Sequence, residues 1–127
     1  MDKTSMFMIF ESAQRMDGKQ QYVNPIPSIH LDSVPGKFSF VIVFCVSGLN
    51  CKPEHTISLS FTSPSGKETC LIDNQTMKSA PSDGQKEVIG TTLSVDIRNY
   101  SFEMEGIYTV NYTIDDDHFN GNILVSK

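Results

Sequence analysis

Three side chains that could attack a substrate or hold a metal cluster in two short segments. Cys51 and His55 lie in one, and His118 lies in the other beside Asp115, Asp116 and Asp117. Cys51-x3-His55 is a workable spacing for two ligands of a tetrahedral ion such as zinc, and His118 or an aspartate would complete the set. The second close pair of a zinc finger is missing, so a solvated hairpin with incidental Cys and His is the plainer reading, and no metal is expected. Cys51 with His118 would make a nucleophile pair. Thiolate chemistry also needs a helix N-terminus or imidazolium and oxyanion donors, and no glycine-rich loop follows Cys51. The three aspartates suit a hard cation by charge but lack the D-x-D-x-D plan and glycine of a calcium loop. Together with Lys52, these residues form a candidate binding end: Cys51, Lys52, His55, Asp115, Asp116, Asp117 and His118. No catalytic residue and no cofactor is assigned.

The elements around them must come from one domain's worth of chain. A length of 127 residues allows roughly two-thirds of the unfolded surface to be buried, without disulfide or metal staples. The 15 acidic and 10 basic residues, net −5, exclude a nucleic-acid binder that depends on a basic stripe. Three cysteines without a CxxC pair read as reduced thiols of a cytoplasmic protein. The opening Met1-Asp2-Lys3-Thr4-Ser5 lacks the plan of a signal peptide. The apolar run Phe38–Val46 is too short for a membrane helix. Sequons at Asn74, Asn99 and Asn111 are then read as chance.

Periodicity is mostly two. Phe38, Phe40, Ile42, Phe44 and Val46 share one face of a strand, and Val41, Val43 and Cys45 make the other apolar too, which predicts a central strand. Cys45 is expected to be buried there, and Cys70 is read the same way. Ile57, Leu59 and Phe61 alternate with polar residues, as do Leu93, Val95 and Ile97, and Tyr108, Val110, Tyr112 and Ile114. Ser63-Pro64-Ser65-Gly66 leads into a hairpin partner over 67–72, Asp17-Gly18 ends the first element, and Pro35-Gly36 opens the central strand. Short strands at such spacing predict a two-sheet antiparallel β-sandwich of about seven to eight strands. The first element fits a helix through Met6, Ile9, Phe10, Ala13 and Met16, or a strand with Phe7, Ile9, Glu11 and Ala13 on one face. The polar stretch Asp73–Lys86 reads as a long functional or mobile loop. His30 reads as a hydrogen-bonded structural histidine. Of the aromatics near turns, Tyr22, Tyr100, Phe102 and Phe119, an exposed cluster would mark a protein-binding patch, whereas Tyr108 and Phe102 fit the core.

The segment Glu105-Gly106-Ile107-Tyr108-Thr109-Val110 resembles the tyrosine corner of immunoglobulin-like domains. Val110 stands where antibody domains have a cysteine, and tryptophan is absent, so the resemblance is not to an antibody domain proper. The whole chain is similar to a family of small bacterial proteins of uncharacterised function. The opening strand Met8–Ala13, the turn Asp17-Gly18-Lys19 and the segments His55–Glu68 and Gly106–Val125 carry that likeness. It implies an immunoglobulin-like fold over residues 1–127. The strands from Phe38, His55, Lys67, Glu87, Gly106 and His118 would be B, C, C′, E, F and G, with the loops Ser47–Glu54, Asp73–Lys86 and Asp115–His118 at one end.

Sandwiches present loops and edge strands on a rigid frame. The expectation is a non-catalytic interaction module of a bacterial cytosol with a protein partner, no nucleic acid and no membrane. One alternative is a small acidic inhibitor from a bacteriophage or mobile element that blocks a basic host surface. The other is a metal- or thiol-dependent enzyme at the Cys51, His55 and His118 end.

Overall fold

The computed structural model describes residues 4–50, 54–78 and 88–127. Their order is β1 (Thr4–Met16), β2 (Lys19–Pro25), β3 (Ile29–His30), β4 (Gly36–Asn50), β5 (Glu54–Thr62), β6 (Glu68–Lys78), β7 (Val88–Phe102), β8 (Gly106–Ile114) and β9 (Asp117–Ser126). They form two sheets, of order β2-β1-β4-β7 and β3-β9-β8-β5-β6. The chain is all-β and the sheets pack as a sandwich. The described residues form nine strands because residues 19–30 supply two short ones, and β3 runs parallel to β9 rather than antiparallel.

Period-two patterning explains which faces meet. Ile57, Leu59 and Phe61 of β5 and Tyr108, Val110, Tyr112 and Ile114 of β8 point inward, against Phe40, Ile42, Phe44 and Val46 of β4. Each large side chain buried this way contributes about 1.5–3 kcal/mol. Aromatic rings span the layers at one end, with Phe40 stacked on Phe61 at 6.3 Å and Phe102 edge-on to Tyr108 at 5.2 Å. The Tyr108 hydroxyl donates to the Met104 carbonyl at 2.9 Å and accepts the Met104 N–H at 3.3 Å. This is the return bond that a tyrosine corner makes.

The first element is a strand. Phe7 and Ile9 face inward while Met6 and Met16 are exposed, which a helix with those residues on one face would not allow. Asp17 and Gly18 both have positive φ, 53° and 75°, as a two-residue type I′ turn requires. The expected loop Asp73–Lys86 is shorter than its polarity suggests. β6 continues to Lys78, held where Asn74 meets Ser58: the Asn74 N–H donates to the Ser58 hydroxyl at 2.9 Å. Residues 79–86 of that stretch lie outside the described residues.

Cys45 is exposed, contrary to the expectation of burial, and so is Cys70. Cys45 sits on the outer face of β4, between Met6 of β1 and Thr92 of β7. Two and four residues earlier, Val43 and Val41 on the same face are buried.

Candidate functional site

The strand ends that flank the three predicted tip loops meet at one end of the sandwich. Asn50 of β4 pairs with Val88 of β7, Glu54 of β5 with Lys78 of β6, and Ile57 with Ile114 of β8. Of the candidate residues there, Cys51 and Lys52 lie outside the described residues.

His55 and Asp115 form the one compact arrangement that the described candidates make. His55 is in phase with Ile57, Leu59 and Phe61, so its ring points inward and is 2 % exposed. Its Nδ1 lies 2.8 Å from Asp115 Oδ2. Asp115 Oδ1 accepts the Thr56 N–H at 3.1 Å, and the Asp115 N–H donates to the Thr56 carbonyl at 2.9 Å. Asp115 can do this because it takes a left-handed φ of 55° as the first residue of the β8–β9 turn, a conformation that Asp tolerates better than most residues. The carboxylate thus fastens the β8–β9 turn to the start of β5. His55 Nε2 is buried and has no partner among the described residues.

His118 does not join this group. It pairs with Thr113, whose hydroxyl lies 3.0 Å from its Nδ1, and it is exposed on the outer face of the five-stranded sheet. His55 and His118 therefore occupy opposite faces of that sheet, because strand alternation gives them opposite parity relative to the core. His118 lines a shallow, mostly polar depression of about 330 Å³ with Ser58, Glu68, Asp73 and Asn111. Asp116 is exposed, and Asp117 opens β9 opposite Ile114. Both Asp115 oxygens are engaged within the protein, so the three aspartates do not pool their oxygens. Among the described residues no group of three His, Cys, Asp or Glu side chains could hold a metal ion, and no helix is long and apolar enough to cross a membrane.

The aromatics near turns do not make an exposed cluster among the described residues. Phe102 is buried, Phe119 stacks on Tyr112 at 5.4 Å, Tyr22 packs on Phe10 at 5.2 Å, and Tyr100 packs edge-on to Phe61 at 5.1 Å. His30 is exposed, with Nδ1 3.3 Å from the Ser126 hydroxyl.

Sequence reasoning missed a different surface. On the outer face of the four-stranded sheet Met6 is 60 % and Met8 46 % exposed, in register with Cys45 and Val43. The signal was present in β4, whose apolar residues on both faces need a cover on each, and in the methionines of β1 at the parity opposite to Phe7 and Ile9.

The model of DUF6941, a family of unknown function, matches residues 5–123. The chain belongs to this family. No curated protein and no solved structure matches it. The matched span takes in β1 from Ser5, β2 to β8, and β9 as far as Ile123, so the His55–Asp115 brace and the methionine face both lie within the family's domain.

Proposed function

We propose that this DUF6941 chain is a non-catalytic protein-interaction module built on an immunoglobulin-like sandwich. The observation that carries the reading is the outer face of β1 and β4, where Met6, Met8 and Cys45 are exposed side by side. Contiguous exposed apolar surface on a domain this small marks a contact site, and methionine adapts its shape to a partner.

The strand order supports the immunoglobulin-like part. With β1, β4 and β7 as A, B and E in one sheet, and β9, β8, β5 and β6 as G, F, C and C′ in the other, the neighbours are those of that fold. The Tyr108 return bond supports it too. Free, exposed thiols at Cys45 and Cys70 suit a reducing compartment such as a bacterial cytosol.

The test is capture from a lysate of the source organism with the tagged full chain, alongside a Met6→Lys/Met8→Lys variant. Both side chains are exposed, so the variant should keep its melting temperature. A protein held by the wild type and released by the variant is the expected result. No captured protein refutes the reading, and one that the variant holds equally well removes the methionine face as its contact.

A further inference from the structure

The side of the sandwich between β1 and β9 carries an unfilled strand position. β8 pairs with β9 along one flank, while on the other flank β3 pairs only with Val125 and Ser126. Among the described residues no strand pairs with His118–Ile123 on that flank. The two-residue turn makes Ile114 and Asp117 a hydrogen-bonded pair. Antiparallel alternation then turns the N–H and C=O groups of His118, Asn120, Asn122 and Leu124 away from β8. The next residue in that series, Ser126, does take an outward bond, its carbonyl accepting the Leu31 N–H at 2.8 Å.

Beside this ladder is a cavity of about 430 Å³ between Phe7, Met8 and Ile9 of β1, the crossing segment Pro25–Pro27, and Ile123 of β9. Every lining residue except Asn122 is apolar. A strand laid against β9 would direct alternate side chains inward, toward this cavity.

We infer that this side of the sandwich binds an extended polypeptide segment, which pairs its backbone with the outward groups of β9 and seats a large apolar side chain in the cavity. The inference rests on the reading of the chain as an interaction module and names its partner's chemistry. Main-chain bonds to an edge strand supply affinity in such complexes, and pockets for alternate side chains supply specificity. Charge selects the segment further. From Asp115 to Ser126 there is no Lys or Arg, and the chain carries net −5. Asp116, exposed at the tip, lies six positions from Asn122, about 20 Å along the strand. The segment should therefore carry Lys or Arg about six positions from its apolar anchor. A second copy of this chain fits less well. Its own β9 would offer Phe119, Gly121 and Ile123 inward, of which Ile123 is already in its core and Phe119 packs against it, so the cavity would stay empty.

The experiment is selection of the full chain against a phage-displayed library of randomised peptides about ten residues long. It is followed by amide exchange with a selected peptide, and by binding to an Asn122→Pro variant. The Asn122 N–H does not serve β8, and proline is tolerated at such edge positions. The expected peptides combine a large apolar residue with Lys or Arg five to seven positions away. They should slow exchange at the amides of His118, Asn120 and Asn122, and bind Asn122→Pro about tenfold more weakly. The exchange readout needs no variant, so a misfolded Asn122→Pro chain does not remove the test. No enrichment of such peptides, or binding without protection of those amides, overturns the inference. So does a wild-type dimer that Asn122→Pro breaks, which would make a second copy the occupant. A lysate partner lost on Met6→Lys but kept by Asn122→Pro overturns this strand site alone and leaves the interaction-module reading standing.

Discussion

Replacing Asp115 by alanine removes more than a surface carboxylate. The bond to His55 Nδ1 at 2.8 Å is lost, leaving a ring that is 2 % exposed with neither nitrogen partnered by a described residue. An unsatisfied buried group of this kind costs about 1–3 kcal/mol. Loss of the Thr56 N–H bond at 3.1 Å adds about 0.5–1.5 kcal/mol. Alanine at a φ of 55° adds about 1 kcal/mol more, since a Cβ without a local hydrogen bond is disfavoured there. The sum is roughly 3–5 kcal/mol, a large share of the total stability of a small domain. Two further variants separate the terms. Asp115→Asn keeps the left-handed preference and an oxygen for Thr56, so its loss should be about 1–3 kcal/mol and report on His55. Asp115→Gly relieves the backbone but keeps neither side-chain bond, and should fall between the other two. The assay is urea unfolding followed by far-ultraviolet circular dichroism, since the chain has no tryptophan. An alanine variant within about 0.5 kcal/mol of wild type, or an asparagine variant as damaged as the alanine one, would refute the brace.

Three other outcomes are expected. A Cβ on Gly121 would lie 2.2 Å from Phe7 Cε1, a ring packed against Phe44 and Tyr112. Gly121→Ala should therefore cost about 1–3 kcal/mol in wild type and far less in a Phe7→Ala background; additive losses in the double-mutant cycle would exclude this contact as the cause. Burial pushes the Tyr112 and Tyr100 phenols above the ordinary 10.0, against the lowering effect of hydrogen bonds to Ser5 and Thr69. Their contribution to stability is complete below pH 10 and is lost as pH rises toward the folded values, because the unfolded chain ionises first. An absorbance titration should show the Tyr112 and Tyr100 phenolates forming late and stability falling above about pH 10; early ionisation of both would contradict the burial. Finally, with Cys51→Ser in place, a thiol-specific disulfide reagent should react with both Cys45 and Cys70 in the native protein, since both are exposed. A Cys45 that reacts only after unfolding would mean that its face is covered.

Much of the fold was legible because half-buried strands write their faces into alternate positions. Ile57, Leu59 and Phe61, and Tyr108 through Ile114, announced inward faces that the sandwich keeps. The same rule bore on the candidate site more than the grouping by loop end recognised. His55 shares the parity of Ile57 and faces the core, whereas His118 pairs with Thr113 and faces out. Proximity of two loops in the chain plan did not amount to convergence of their side chains.

What the sequence determined by itself was local: strand parity, the Asp17-Gly18 turn and the segment that lets Tyr108 reach back to Met104. These depend on φ preferences and on side chains a few residues apart. What only the tertiary structure decided was which outer positions are covered and which strand flanks stay open. Val43 and Cys45 share a face of one apolar strand, yet one is buried and the other exposed, so alternation alone does not set cover. Among the described residues the open flank of β9 likewise follows from β3 pairing only at Val125 and Ser126. Both depend on neighbours distant in sequence, whose register no single segment encodes.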